Sequence, residues 1–228
     1  MMERYINFRG YMIYCMSDIH GEADRFHQML QLIDLKTEDH MYIIGDVIDR
    51  YPGGVDILQE IMQMPNATML LGNHEDMCLK TLGPKSEFGA RDLWKSNGGS
   101  CTYRELLYHL TEVGRRDILR YLESLPLELD ITVGDSKYRL VHGWPGANDD
   151  DRIWGRPQHH SSFALPDDVT AIIGHTPTVY LDDDGESPFH IVHRPKQRFI
   201  AIDCGCGNKT PRRRLACLRL DDMKEYYV

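Results

Sequence analysis

Short apolar runs and amphipathic segments alternate over the first third of the chain. The apolar runs Tyr11–Met16, Met41–Ile44 and Thr68–Leu71 are too short for typical helices and predict buried strands. Between them, Ala23–Leu35 and Pro52–Met64 carry apolar residues at the three- and four-residue spacing of amphipathic helices. The order strand, helix, strand, helix, strand predicts parallel crossover units, and therefore an α/β fold.

The pattern becomes mostly helical after the third predicted strand. Between Asp76 and Ser124 the clearest helices are Tyr103–Thr111 and Arg115–Leu122, separated at Gly114. The loop portion of this stretch contains Trp94 and Asn97-Gly98-Gly99. We predict one domain, residues 1–228, with a helical insertion at about residues 76–124 that forms a cap or side wall.

Strand-like patterns return after Pro126. A hairpin is predicted from Leu127–Val133 and Tyr138–Val141, joined by a turn at Gly134-Asp135. Residues Ile153–Arg156 are assigned to a loop. The remaining predicted strands are Val169–Ile173, Phe189–His193, Arg198–Asp203 and Leu215–Leu220.

Polar side chains follow five of the predicted strands at the point where each strand ends. In sheets built from parallel crossover units, ligands bind beyond the carboxyl ends of the strands. The candidate residues at these ends are Asp18, His20, Asp46, Asn73, His142 and His175. Carboxylates, imidazoles and an amide suit borderline and hard divalent metals. They are too many for one catalytic metal with an open position, but two metals sharing Asp46 would use them all.

Each candidate also has a structural alternative. A histidine after a strand can be a hydrogen-bonded structural residue, Asn73 can be a turn residue, and Asp18 with His20 can be an ion pair. Five separate strand ends that each carry a ligand type are harder to explain in this way. Their joint occurrence favours a metal centre.

Composition narrows the classes of partner. Lys plus Arg number 26 against 35 for Asp plus Glu, and the net charge of −9 argues against a nucleic-acid surface. The cluster Arg212-Arg213-Arg214 is too small to change this and is interpreted as a solvated strand edge. An anionic substrate stays possible because bound divalent metals would reverse the local sign.

The cysteines and the start of the chain bear on compartment. The six cysteines include no C-x-x-C pair, which argues against a zinc ribbon and for reduced thiols. The apolar run at Tyr11–Met16 is too short to span a membrane or to act as a signal peptide. We therefore expect a cytoplasmic protein with no membrane partner. The oligomeric state is not indicated.

Five motifs, taken together, resemble in order those of the phosphoprotein-phosphatase family of calcineurin-like metallophosphoesterases. The motifs are Asp18-Ile19-His20-Gly21, Gly45-Asp46-Val47-Ile48-Asp49-Arg50, Gly72-Asn73-His74-Glu75, His142-Gly143 and Gly174-His175-Thr176. The chain looks most like the short bacterial and phage branch, to which diadenosine tetraphosphate hydrolases are related. The resemblance implies a mixed β-sandwich flanked by helices, with a helical insertion.

The same resemblance implies a role for each motif residue. Asp18 and His20 would bind a first metal, Asp46 would bridge, and Asn73, His142 and His175 would complete a second site. His74 would protonate the leaving oxygen, and Asp49 would hydrogen-bond His74. Arg50 would bind phosphate oxygens, with Arg156 at the place of a second phosphate-binding arginine. Manganese is favoured for the two ions, and iron, zinc or cobalt also suit the ligands.

Two positions depart from the family pattern, and they bear on substrate. Tyr51 and Trp144 stand where the family usually has glycine and a small residue. These aromatics could stack on a base or leaving group, or they could be packing residues. We expect a serine/threonine protein phosphatase in which a hydroxide held between two metals attacks phosphorus in line. The alternatives are a dinucleoside polyphosphate or small-metabolite phosphoesterase, a noncatalytic phosphate-binding module, and a nucleic-acid phosphodiesterase, which the charge disfavours.

Overall fold

The structure, a computed structural model, describes residues 10–159, 165–181 and 189–228. Ten strands within these residues form two five-stranded sheets. In chain order the strands are β1 (Ile13–Met16), β2 (His40–Ile44), β3 (Ala67–Leu70), β4 (Glu128–Val133), β5 (Ser136–Val141), β6 (Val169–Ile173), β7 (Val192–Arg194), β8 (Phe199–Ala201), β9 (Ala216–Arg219) and β10 (Lys224–Tyr227). The sheet orders are β10-β9-β1-β2-β3 and β4-β5-β6-β8-β7, and both sheets mix parallel and antiparallel pairs.

Helices pack against the outer face of the first sheet. In chain order they are α1 (Ala23–Ile33), α2 (Gly54–Gln63), α3 (Asn73–Leu82), α4 (Ala90–Ser96), α5 (Ser100–Arg104), α6 (Glu112–Glu123) and α7 (Asp149–Trp154). Strand β1 pairs parallel with β2, and β2 pairs parallel with β3, with α1 and α2 as the crossovers. The predicted parallel units are confirmed.

The alternation of side chains along β1 shows how the layers form. Tyr14 and Met16 point to one face and pack in a cluster with Phe26 of α1. Ile13 and Cys15 point to the other face and pack with the second sheet. Because successive residues of a strand face opposite sides, an unbroken apolar run is needed when both faces are covered. The result is a two-sheet sandwich flanked by helices, which confirms the predicted fold class.

The helical stretch after β3 differs from the prediction in two details. Trp94 lies in α4 and not in a loop. The predicted break at Gly114 is wrong, because Gly114 lies inside α6 and the helix begins at Glu112. The side chain of Thr111 accepts a hydrogen bond from the Gly114 N–H at 3.1 Å, so this threonine caps the helix and sets its start. The preceding helix ends in a π-helical turn at Glu105–His109.

Smaller differences occur in the second half of the chain. The predicted loop at Ile153–Arg156 begins as the end of α7, which Asn148 caps by accepting from the Asp151 N–H. The predicted strand Phe189–His193 is limited to β7, and β10 is an additional strand. All six cysteines are unpaired, as predicted. Within the described ranges, we find no helix whose length and apolarity would let it cross a membrane.

Candidate metal centre

The six predicted ligand residues come together where strands of both sheets end. They follow β1, β2, β3, β5 and β6, and none of their side chains is more than 8% exposed. The two sheets meet at this edge through direct contacts. The His175 N–H, after β6, donates to Asp18 Oδ2, after β1, at 3.0 Å, and Nδ1 of His142, after β5, lies 2.8 Å from the Ile44 carbonyl of β2. The topology thus forms one buried polar cluster from distant parts of the chain.

Left-handed backbone conformations are concentrated in this cluster. Nine non-glycine residues in the described part of the chain have a positive φ, and six of them belong to the site. The six are Asp18, His20, Asp46, Asp49, Arg50 and His175, with φ between 51° and 76°. Each such residue costs about 1–2 kcal/mol, so the surrounding contacts must hold it. The loops after β1 and β2 do so mutually, because the Asp18 N–H donates to the Gly45 carbonyl and the His20 N–H donates to the Asp46 carbonyl.

The two oxygens of the Asp46 carboxylate face different groups of ligands. Oδ2 lies 3.6 Å from His20 Nε2, and Oδ1 lies 3.3 Å from His142 Nε2. Asn73 Oδ1 lies 3.0 Å from His142 Nε2 and 2.8 Å from His175 Nδ1. Two atoms bonded to one ion at about 2.0–2.2 Å lie roughly 3–3.6 Å apart. The spacing therefore fits two ions, one on each side of Asp46.

The first group contains an additional imidazole. Asp18 Oδ1 lies 3.8 Å from His20 Nε2, and His74 Nε2 lies 3.8 Å from Asp46 Oδ2. The donor atoms of His20, Asp46 and His74 lie within 4.8 Å of one another, as do those of Asp46, His142 and His175. Both Asp18 and His74 therefore border the first position.

Backbone carbonyls orient two of the histidines toward Asp46. Nδ1 of His142 lies 2.8 Å from the Ile44 carbonyl, and Nδ1 of His20 lies 3.2 Å from the Ile48 carbonyl. A neutral imidazole that donates from Nδ1 keeps its Nε2 lone pair for a metal. His175 instead turns Nδ1 toward the cluster, and its buried Nε2 has no hydrogen-bond partner among the described residues. This donor set suits divalent metals.

The charges of the cluster favour a bound cation. Burial alone would lower the pKa of His142, but the carboxylates of Asp46 and Asp18 outweigh it and raise this pKa to about 10. Burial and the proximity of His142 lower the pKa of His175 to about 2. Burial, with Asp203 nearby, raises the pKa of Asp18 well above its usual value. Divalent cations would satisfy the carboxylates and keep the ligand imidazoles of His20, His142 and His175 neutral.

Glu75 supports the loop that carries Asp46, a role not predicted from the sequence. Its Oε2 accepts from the N–H groups of Asp46 at 2.8 Å and Gly72 at 3.1 Å. Its Oε1 accepts from the N–H groups of Val47 at 2.9 Å and Ile48 at 3.3 Å. A fully buried carboxylate thus satisfies four backbone donors. The sequence feature that indicates this role is its position three residues after Gly72. A glutamate at this position can accept from the backbone N–H at the start of the helix that follows.

His74 and Asp49 form a hydrogen-bonded pair beside Asp46. Nδ1 of His74 lies 2.7 Å from Asp49 Oδ2, and Nη2 of Arg50 lies 3.5 Å from His74 Nε2. Burial lowers the pKa of His74, but Asp46 and Asp49 together raise it above its usual value. The structure therefore places a protonatable imidazole and a guanidinium on the same side of the cluster.

Arg156 lies at the other side of the site. Its Nη1 donates to Thr176 Oγ1 at 3.4 Å, next to His175. The side chain is half-buried. The structure thus brings all ten sequence-predicted site residues to one region of the fold.

The two departing aromatics are held in packing contacts. Trp144 is 2% exposed and packs edge-on against Phe199, with ring centroids 5.4 Å apart. The Tyr51 ring lies under the Arg213 guanidinium at 4.5 Å, and its hydroxyl donates to the Asn208 carbonyl at 3.2 Å. Of the two alternatives, these contacts favour packing. Arg213 also pairs with Glu22, so it is not a solvated strand edge as predicted.

Asp203 is a further buried carboxylate near the cluster and is not among the residues predicted from the sequence. Its Oδ1 accepts from the Gly205 N–H at 2.8 Å, and burial raises its pKa to about 6. The prediction put Asp203 inside a strand, whereas β8 ends two residues earlier. The same strand-end signal that located the other acids would have located this one.

The sandwich of mixed sheets carries, at its strand ends, a buried set of carboxylates and imidazoles that suits divalent metals. Residues 11–197 match the calcineurin-like phosphoesterase family, and the chain belongs to that family. It is therefore a metal-dependent phosphoesterase, of a family that uses two metal ions.

Individual relatives differ in their names. The chain is 29% identical over 161 residues to serine/threonine-protein phosphatase 2 of Escherichia coli, covering 68% of each chain. It is 32% identical over 132 residues to a symmetrical bis(5'-nucleosyl)-tetraphosphatase of Acidovorax ebreus, covering 57% of this chain but 43% of that protein. A solved serine/threonine phosphatase of Saccharomyces cerevisiae has a TM-score of 0.65 at 13% identity, covering 96% of this chain and 79% of that one. The last comparison shows a shared fold.

Proposed function

We propose that this chain hydrolyses phosphomonoesters with two divalent ions, and that its substrates are phosphoserine and phosphothreonine side chains. The observation that carries the proposal is the divided Asp46 carboxylate, with His74 and Arg50 beside it. This arrangement combines two ion positions, an acid and an anion-binding group within one buried cluster.

The ligands are assigned to two positions that share Asp46. Asp18 and His20 would hold one ion, and Asn73, His142 and His175 would hold the other. When bound, the ions would supply an activated water at neutral pH and would stabilise charge on the phosphoryl group. We favour manganese from the ligand chemistry and the family resemblance, with iron, zinc or cobalt as alternatives.

The remaining residues act on the substrate. Arg50 and Arg156 would bind phosphate oxygens with their forks of N–H donors, one from each side of the site. His74, protonated on both ring nitrogens, would donate its Nε2 proton to the departing oxygen and keep its Nδ1 proton in the hydrogen bond to Asp49. The bond from phosphorus to the leaving oxygen breaks as the bond to the attacking water oxygen forms, and no phosphoenzyme is needed.

Two findings favour a phosphoprotein over a dinucleotide. The similarity to the E. coli protein phosphatase spans 68% of that protein, whereas the tetraphosphatase similarity spans 43%. The aromatic that could have stacked on a base, Trp144, is buried against Phe199. A dinucleoside polyphosphate hydrolase is the second candidate, because relatives carry that name.

The test compares kcat/KM on a phosphothreonine peptide with kcat/KM on diadenosine tetraphosphate. The protein is stripped with a chelator and resupplied with Mn²⁺, and the stripped protein is the control. We expect a strong preference for the peptide. A strong preference for the dinucleotide would move the function to nucleotide hydrolysis, and no turnover of either with metal bound would indicate a binding module.

A further inference from the structure

The segment Trp94–Thr102 of the helical region lies directly behind the His74–Asp49 pair. The Trp94 indole is fully buried, and its Nε1–H donates to Asp49 Oδ2 at 2.6 Å. The same oxygen accepts from His74 Nδ1 at 2.7 Å. Asp49 is itself fully buried, and its Oδ1 has no hydrogen-bond partner in the part of the chain that the structure describes. Asp49 Oδ2 therefore accepts hydrogen bonds from both His74 and Trp94.

The same segment also holds the backbone around Asp49. The Asp49 N–H donates to Thr102 Oγ1 at 3.0 Å, and the Arg50 N–H donates to the Gly98 carbonyl at 3.1 Å. The Cys101 thiol lies 3.5 Å from the Tyr51 carbonyl. Asp49 and Arg50 have φ values of 76° and 65°, which non-glycine residues rarely adopt. Contacts to three consecutive residues keep this strained turn in place.

Gly99 allows the indole to lie where it does. A Cβ at this position would come within 2.3 Å of Trp94 Cδ1 and Nε1, which no side chain can tolerate. The backbone of the segment is therefore packed against the very atom that donates to Asp49.

We propose that Trp94 is a positioning residue for His74 and acts through Asp49. The indole N–H fixes the rotation of the Asp49 carboxylate so that Oδ2 faces His74 Nδ1, which in turn points His74 Nε2 toward the substrate. The helical region from Trp94 to Thr102 is then part of the acid-positioning apparatus and not only a side wall. This inference rests on the proposed role of His74 as general acid.

The first test is Trp94→Phe, which keeps an aromatic ring and removes the N–H. On a phosphothreonine peptide, whose leaving alkoxide needs a proton, kcat should fall roughly 10- to 100-fold, the range for a lost charge-assisted hydrogen bond. On p-nitrophenyl phosphate, whose leaving group needs little protonation, kcat should change less than about 3-fold. KM and bound metal should stay at wild-type values.

Matched variants separate positioning from general damage to the fold. Tyr103→Phe alters a ring whose centroid lies 5.9 Å from that of Trp94 and leaves the indole N–H in place. Any change in kcat should therefore be the same on the peptide and on p-nitrophenyl phosphate. Thr102→Val removes the acceptor of the Asp49 N–H. It should lower kcat more on the peptide than on p-nitrophenyl phosphate, by a smaller factor than Trp94→Phe does. Thr102→Ser keeps the hydroxyl and should retain wild-type kcat on both substrates. These two variants test the proposal even where Trp94→Phe folds poorly.

A double-mutant cycle and a spectrum complete the design. In a His74→Asn background, adding Trp94→Phe should not increase the difference in kcat between the two substrates, since both changes act on one proton transfer. In proton NMR of the wild type, the His74 Nδ1 proton should be protected from exchange and shifted downfield, and Trp94→Phe should broaden or remove it.

Equal losses on both substrates, additive effects with His74→Asn, or an unchanged Nδ1 signal would overturn the positioning role. Failure of the proposed general-acid role of His74 would give a different result. His74→Asn itself would then lose activity equally on both substrates, whatever happens to the Nδ1 signal in Trp94→Phe.

Discussion

Glu75→Gln tests whether a buried carboxylate holds the loop that carries Asp46. The two oxygens of Glu75 accept from four backbone N–H groups at 2.8–3.3 Å. Glutamine keeps the shape but offers one oxygen, and its NH₂ group must face two N–H donors. Whichever way the amide turns, two charge-assisted hydrogen bonds are lost, at about 1.5–3 kcal/mol each. Removal of a buried charge offsets part of this, so we expect a net loss of about 3–5 kcal/mol.

The loss is large on the scale of protein stability. Domains are stable by about 5–15 kcal/mol, so Glu75→Gln would remove a substantial share. At this chain length about 2 °C in Tm corresponds to 1 kcal/mol, which gives a Tm lowered by about 6–10 °C. Because Asp46 donates directly to Glu75, metal affinity should fall as well, by roughly 10- to 100-fold.

The assay is urea unfolding of the chelator-stripped protein, followed by calorimetric titration with Mn²⁺. Glu60→Gln is the matched control, since Glu60 pairs with His27 at 3.0 Å and both side chains are nearly half exposed. That pair should contribute less than about 1 kcal/mol. If the two variants differ by less than about 1 kcal/mol, the account of Glu75 as a loop support is wrong.

Three other perturbations address the ligands and the pH dependence. Asp46→Asn should lower metal affinity by more than roughly 10²-fold and reduce activity on every substrate, as bound metal and turnover would show; a fully active variant refutes the bridging role. Gly174→Ala would put a Cβ 2.1 Å from Ser17 Oγ and 2.6 Å from Asp18 Oδ2, so metal content should fall, and unchanged content refutes the steric argument. Burial lowers the pKa of His40, so its neutral form stabilises the fold above its unfolded pKa of about 6.5, and this contribution is lost as pH falls through the lower folded value. The unfolding midpoint of His40→Gln should therefore drop less than that of wild type between pH 7.5 and pH 5.5; parallel curves would contradict this.

The sequence was sufficient to identify the residues that cluster at the strand ends because two local rules coincide there. Buried parallel strands appear as short apolar runs, and ligands gather where such strands end. Asp46 is identifiable because it follows Ile44 and Gly45 directly, with no intervening loop to obscure the strand end. Asp203 was missed because the apolar run continues one residue beyond the last paired residue of β8. Asp203 also lies just beyond a strand end, but the apolar pattern predicts a strand longer than β8.

Other features depend on contacts that no local pattern encodes. The start of α6 is set by the Thr111 hydroxyl and not by Gly114, which is tolerated inside the helix. The location of Trp144 follows from packing against Phe199 of a distant strand. The hydrogen bond from Trp94 to Asp49 joins residues 45 positions apart. A single sequence gives no measure of these distances, so roles that arise from tertiary contact need the structure.

The concentration of left-handed residues at the site has a physical reason. A strand that continued in extended conformation past Ile44 would send alternate side chains to opposite faces of the sheet. Positive φ at Asp46 instead turns the chain sharply, so that its carboxylate and the Asp49 carboxylate serve the same cluster. The same turn brings backbone N–H groups inward, where Glu75 accepts them. The positive φ at Asp46, the Glu75 helix cap and its buried carboxylate therefore stabilise one loop together. The cations would bind to a loop that the protein already holds in position.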